Sequence, residues 1–236
     1  DGDDQDAPPL CAKLAQRFIT WMTSHTAAGV LFDIDVALRP DGASGLLVSS
    51  LTAFEKYQRE SAWVWEHQAL TRARFCAGDA AIGERFEALR TTLLRQPRDA
   101  VALRQEVLAM RKRMHEAHPN RSTDFDLKHD PGGMIDIEFI VQYLVLLHAH
   151  THPAITADIG NIALLKLAGQ LGLIDAALAT EVANAYREFR RLQHTIRLRG
   201  VDRARIALET VAGMRNAVVA LWEKILLVAP HTSEKD

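Results

Sequence analysis

Cysteine is scarce in this chain: Cys11 and Cys76 are the only two in 236 residues. They stand at no metal-binding or redox spacing, which excludes a disulfide framework and points to a reducing compartment. An excess of charge is also missing. A formal net charge of −2 gives no reason to expect nucleic-acid or membrane binding. No apolar run is long enough for a membrane span and no signal peptide opens the chain, so the expected location is cytoplasmic. What remains, 48% hydrophobic and 25% charged residues, is the composition of an ordinary globular protein with room for one large domain or two small ones.

The stretch DFDLKHDPGGMIDIEFIVQYLVLLHAH, from Asp124 to His150, organises the rest. From Met134 to Leu147 it is apolar almost all the way round, so it reads as a helix buried by other helices. Asp136, Glu138 and Gln142 make it too polar to span a membrane. Asp130-Pro131-Gly132-Gly133 precedes it. Acids in the first turns suit the helix dipole. The other reading is that the glycines permit close approach of backbone or ligand, and that the acids bind something cationic.

Along the chain, DGDDQDAPP reads as an acidic loop, and Leu10, Leu14, Phe18 and Trp21 predict an amphipathic helix over 9–27. In GVLFDIDVALRPDG the apolar residues alternate with Asp33 and Asp35, which predicts a strand with both acids on one face, closed by a turn at Pro40-Asp41-Gly42. A lone strand is not stable. Its partners are therefore missing from this chain, come from short segments such as 45–48, or lie in another chain; we expect truncation. Further helices are expected from Ser50 or Thr52, from Asp79 to about Leu94, and over 99–117, 159–171 and 204–227, with a long one after Asp175. Arg104, Arg111 and Arg113 are placed off the apolar stripe of 99–117, and no strand is expected after Asp99. The helix after Asp175 carries Arg187, Arg190, Arg191 and Arg197, a pattern that most often marks a solvated face.

Several chemical signals are incomplete. His115-Glu-Ala-His118 lacks the i, i+4 histidines of a zinc protease. His129-Asp130 matches the dipeptide of HD-type metal phosphohydrolases, without an evident second His and Asp. Asp33 and Asp35 are better placed. Two carboxylates on one strand face beside an arginine and a turn could hold Mg²⁺ against phosphate oxygens, with Arg39, Arg72, Arg74 or Lys128 adding positive charge. The alternative is an edge strand with its polar face in water.

Over about residues 10–200, GVLFDIDVALRPDGASGLLVSSLTAFEKYQRESAWVWEHQALTRARFCAGD, DLKHDPGGMIDIEFIVQYLVL and REFRRLQHTIRLRG resemble, in order, the glutamine synthetase adenylyltransferase family. The wording AWVWEHQALTRAR is similar to its C-terminal, adenylylating half. The resemblance implies a mainly α chain: residues 1–98 as the remnant of a polymerase-β-like α/β nucleotidyltransferase domain, and 99–236 as an all-α bundle. It implies transfer of AMP from ATP to a tyrosine of glutamine synthetase, with Mg²⁺ at Asp35 and, secondarily, Asp33. Asp35 and Arg39 would be catalytic. Arg72, Arg74, Lys128, Gly132, Gly133, Asp136 and Glu138 would face the site or a regulatory ligand. Implied partners are glutamine synthetase and a nitrogen-regulatory protein, with glutamine as effector. Two departures matter. No Gly-Ser…Asp-x-Asp motif precedes Asp35, and Ala37 stands where the family has arginine, so this chain is expected to be inactive alone. The alternative is a non-catalytic helical module that docks glutamine synthetase or a nitrogen-signalling protein.

Overall fold

The computed structural model describes residues 7–30, 32–36, 39–157 and 159–227. The acidic opening (1–6), Leu31, Ala37 and everything after 227 lie outside these residues. The chain divides into two compact units, one of residues 1–66 and 75–89, the other of residues 67–74 and 90–236.

The first unit holds α1 (Ala7–Thr23) and α2 (Leu51–Glu60). The Ser50 hydroxyl accepts from the Ala53 N–H at 3.1 Å and caps α2, so Thr52 lies inside the helix and is not its cap. α1 ends earlier than expected, where the Thr26 and Gly29 backbones exchange hydrogen bonds at 3.0 Å. The apolar stripe of α1 is uncovered: Leu10, Leu14, Phe18 and Trp21 are 52–68% exposed. The strand expected over 30–36 is not formed at the described positions 32–36. The Phe32 N–H reaches the Met22 carbonyl at 3.2 Å, but no ladder of such bonds forms among the described residues, and a strand without one is not stable. The turn at Pro40-Asp41-Gly42 does form, with the Gly42 N–H on the Arg39 carbonyl at 2.8 Å. α3 (Val64–Leu70) and α4 (Ala80–Leu94) follow. The Asp79 carboxylate accepts the Ile82 N–H at 3.0 Å just before α4.

The second unit is built on α5 (Ala100–Ala117), α6 (Met134–His148), α7 (Asn161–Gln170), α8 (Ala176–Leu198) and α9 (Ala212–Trp222). Asp99 and Asp175 cap α5 and α8 by accepting the Ala102 and Leu178 N–H groups at 2.7 and 2.8 Å. α7 ends at Gly172, whose φ of +71° lets the Leu173 N–H return to the Ala168 carbonyl at 3.0 Å. α5, α7, α8 and α9 all pack on α6, which is why a helix apolar on every side is stable here. Eleven of its 15 residues are buried, more than in any other described helix.

Two corrections fall in this unit. Phe125–Asp126 (β1) pairs antiparallel with Arg205–Ile206 (β2), so a small ribbon exists after Asp99 and the last helix starts at Ala212, not 204. The pairing joins segments far apart in sequence, and local periodicity does not report it. Arg111 is buried on α5, where Leu103, Val107 and Arg111 form the covered i, i+4, i+8 face. Arg90 is buried as well. Its guanidinium donates to the carbonyls of Leu70 and Thr71 at 2.7 Å and Thr156 at 3.1 Å, fastening 67–74 to the helical unit. Gln68 adds a 2.9 Å bond to Gln142 of α6. Among the described residues no helix is long and apolar enough to cross a membrane.

Ile140 is fully buried at the middle of α6. Ile140→Ala should lower unfolding stability by about 2–5 kcal/mol through lost burial and an unfilled cavity. Urea titration followed by circular dichroism measures this, and a loss within about 1 kcal/mol would show that α6 is not the tightly packed centre.

Candidate functional site

The DLKHDPGG loop runs from β1 into α6, and its acids are the organising groups. Asp126 Oδ1 accepts the Lys128 and His129 N–H groups, both at 3.0 Å, and His129 Nδ1 lies 3.3 Å from the same oxygen. Arg205 Nε lies 3.7 Å from its other oxygen, across the ribbon. Asp130 accepts from Asn120 Nδ2 at 2.6 Å and from the Asp126 N–H at 2.9 Å. These bonds wind the loop into a tight turn.

Asp136 sits in the first turn of α6 and is buried against Arg111, which donates to it through Nε. Its second oxygen accepts the Gly132 N–H at 2.6 Å, while Arg111 Nη2 donates to the His129 carbonyl at 2.9 Å. The cation that Asp136 binds is therefore Arg111 of the same chain. The two glycines allow backbone and side chains, not a ligand, to approach. A Cβ at Gly132, where φ is +87°, would come within 2.6 Å of Arg215 Cγ, and one at Gly133 within 2.9 Å of the Asp130 and Leu127 carbonyls. Arg215 also donates to the Pro131 carbonyl at 3.0 Å.

Glu138 is in a different position. It is half-buried, accepts the Tyr186 hydroxyl proton at 2.7 Å, and has Arg72 at 3.6 Å. Asn161 Nδ2 donates to the Tyr186 oxygen at 2.9 Å. Burial first, then the Glu138 charge and its hydrogen bond, raise the Tyr186 phenol above its ordinary value and keep it a donor.

The expected site residues thus fall into separate groups. Asp33, Asp35 and Arg39 belong to the first unit. Both acids are exposed, and Arg39 donates from Nε to the Gly45 carbonyl at 3.3 Å and from Nη1 to the Val36 carbonyl. Arg72, Arg74, Lys128, Gly132, Gly133, Asp136 and Glu138 belong to the second. Of these, Gly132 is bonded to Asp136 and Arg72 is paired with Glu138, while Lys128 and Arg74 are exposed. Asp33 and Asp35 are oxygen donors of the kind Mg²⁺ takes. Among the described residues, however, no three His, Cys, Asp or Glu side chains gather to hold a metal ion. His129 is engaged by Asp126 and stacks on His118 with centroids 4.6 Å apart, and Asp130 is engaged by Asn120, so the HD dipeptide braces the loop.

Sequence reasoning missed Arg111, Asp126, Asn120, Arg205, Arg215 and Tyr186. Only Arg111 carried a signal, a cation continuing the Leu103–Val107 stripe at i+4. The others are set by long-range contacts.

Residues 2–89 match the family described as Glutamate-ammonia ligase adenylyltransferase, and residues 101–210 match the one described as GlnD PII-uridylyltransferase. A bifunctional glutamine synthetase adenylyltransferase/adenylyl-removing enzyme of Aromatoleum aromaticum is 57% identical over 94% of this chain and 24% of its own length. The chain belongs to the glutamine synthetase adenylyltransferase family. Relatives of the same description from Ralstonia nicotianae and Nitrosomonas europaea are 59% and 54% identical, over 95% and 94% of the chain. The chain spans about a quarter of the length of these relatives.

Two outcomes are expected of the loop. Asp136→Asn should destabilise the fold by about 3–5 kcal/mol, because it strands the Arg111 charge, and the double change Arg111→Met/Asp136→Leu should cost much less. A double variant as unstable as the single one, in denaturant titration, would contradict this. The second outcome concerns pH. Burial works to raise the Asp126 pKa, but the His129 and Lys128 N–H groups and the His129 ring together hold it below the usual 3.8. Burial, then the Lys128 and His118 charges, hold His129 below the usual 6.5 against the pull of Asp126. Both groups are depressed in the folded state, so the unfolded chain binds more protons as pH falls. Stability should be full above 6.5, decline as His129 is forced to charge, and decline again below 3.8. Thermal melts of His129→Gln from pH ~7.5 to ~5 should show a flatter slope than the unsubstituted chain. An unchanged slope would exclude His129 as the source.

Proposed function

We propose that this chain is part of an enzyme that transfers AMP from ATP to a tyrosine of glutamine synthetase, and so regulates nitrogen assimilation. The supporting observation is 57% identity, over 222 residues, to a relative named for that adenylylation. In this reading Asp35 is the metal and catalytic carboxylate, with Asp33 in a lesser role beside it. A magnesium ion would supply neutralisation of charge on phosphate oxygens. Arg39, fixed in its turn by the Gly45 and Val36 carbonyls, adds a positive charge. Asp136, Gly132 and Gly133 act by shaping the loop, while the exposed cations Lys128, Arg72 and Arg74 would face phosphate or a regulatory ligand.

A second reading is favoured by the consumption of the loop's acids in internal bonds. It makes this chain a helical docking or regulatory module that binds glutamine synthetase or a nitrogen-signalling protein, with glutamine as effector.

The two readings separate by experiment. In the full-length enzyme, Asp35→Asn should reduce incorporation of labelled AMP into glutamine synthetase by more than tenfold, a barrier increase above about 1.4 kcal/mol. Asp33→Asn should reduce it less. An Asp35→Asn enzyme that retains more than about a tenth of the normal rate would remove Asp35 from the site. The 236-residue chain by itself should leave glutamine synthetase unlabelled, since no Gly-Ser…Asp-x-Asp run precedes Asp35. Labelling at the full-length rate would refute that.

A further inference from the structure

The second half of α8 and the turn after it concentrate positive charge in a chain whose net charge is −2. Arg187, Arg190, Arg191, His194, Arg197 and Leu198 are all exposed, and their i, i+3, i+4 spacing puts them on one helix face. That ridge is about 18 Å long at 1.5 Å per residue. It continues past the end of α8 through Arg199 and Arg203. Exposed Lys128 follows the end of the ribbon: Phe125 pairs with Ile206, Asp126 with Arg205, and the Leu127 N–H donates to the carbonyl of Ala204, which adjoins Arg203 in the sequence.

The carboxylates on this stretch are Glu188 and Asp202. Glu188 is occupied by Arg191, at 2.6 and 2.8 Å. Arg187 donates to Asn184 at 2.7 Å, and Arg190 faces the Tyr186 hydroxyl. Among the described residues, no carboxylate pairs with Arg197, Arg199 or Arg203. Between these cations stand two apolar side chains, Leu198 at 89% exposure and Val201 at 47%. Cations that only kept the surface solvated would not need a nearly bare leucine at their centre. An apolar anchor ringed by unpaired arginines suits an interface with complementary charge and one side chain to receive.

We propose that this ridge is a docking surface for an acidic, leucine-type segment of a protein partner. Arg197, Arg199, Arg203 and Lys128 would meet its carboxylates, and Leu198 would meet its apolar side chain. Nucleic acid fits less well. The aromatic side chains of this stretch, Tyr186 and Phe189, are buried and offer no base a stacking face. The inference stands apart from the catalytic reading, because it uses none of the residues assigned to AMP transfer except exposed Lys128.

The test uses the whole 236-residue chain, immobilised, with four probes: purified glutamine synthetase of Aromatoleum aromaticum, a soluble peptide of glutamates interrupted by leucines, a peptide of glutamates alone, and single-stranded oligothymidine. The charge-reversed variant Arg197→Glu/Arg199→Glu/Arg203→Glu, with an unchanged circular dichroism spectrum, should lose about tenfold or more in affinity for the leucine-containing peptide. Leu198→Ser should weaken that peptide and leave the all-glutamate peptide unaffected. Binding should fall as salt rises. Binding of the leucine-containing peptide that depends on these residues supports the surface whether or not glutamine synthetase binds, because the chain spans about a quarter of its relatives' length and the adenylylation reading is tested in the full-length enzyme. Equal binding by the charge-reversed variant, equal affinity for the two peptides, tighter binding of oligothymidine, or no binding of any probe overturns the proposal.

Discussion

The buried pair between Arg111 and Asp136 is the interaction on which the helical unit depends. Arg111 reaches it from α5, and Asp136 from the first turn of α6. The same two side chains hold the Gly132 N–H and the His129 carbonyl, so one contact fixes two helices and the loop between them. Desolvating two charges costs several kcal/mol, and such a pair is tolerated only when its remaining hydrogen-bonding capacity is filled. Here the loop backbone fills it. That explains the glycine pair better than a ligand does, since the loop must pass under Arg215 and over the Leu127 carbonyl with no room for a Cβ.

The sequence disclosed whatever depends on local pattern. The continuous apolar surface of Met134–Leu147 announced a core helix, and Asp99 and Asp175 announced helix starts, because periodicity and capping act within a few residues. It misled where stability needs a distant partner. Residues 32–36 alternate like a strand, yet form none without a described neighbour. Arg205–Ile206 lies in a helix-like pattern and becomes a strand because Phe125 and Asp126 lie alongside. α1 was legible as amphipathic, but no pattern reveals whether a stripe will be covered, and Leu10, Leu14, Phe18 and Trp21 are exposed.

The same division holds for the candidate site. Acids at Asp126, Asp130 and Asp136 were visible as acids, but their use was not. Each is turned inward onto backbone N–H groups, Asn120 or Arg111. An acid used in this way contributes by shaping the chain, and its removal is felt in stability before it is felt in chemistry. His129 belongs to the same class. Its Nδ1 meets Asp126 and its ring face stacks on His118, so it too braces the loop.

Glu138 is the exception, and the contrast with Asp136 shows why two acids two residues apart on one helix differ in what they can do. Asp136 is sealed at 6% side-chain exposure, whereas Glu138 keeps 27% and its cation, Arg72, keeps 48%. At 3.6 Å and this degree of solvation the Arg72–Glu138 attraction is screened and worth no more than about 1 kcal/mol. Tyr186, held as a donor by its raised pKa and steadied by Asn161, keeps Glu138 in place whether or not Arg72 stays. Arg72 can therefore leave for a competing anion at small cost, without disturbing the carboxylate behind it. Of these two charged contacts of α6, Arg72–Glu138 is the longer and more solvated, while Arg111–Asp136 is buried and fully hydrogen-bonded.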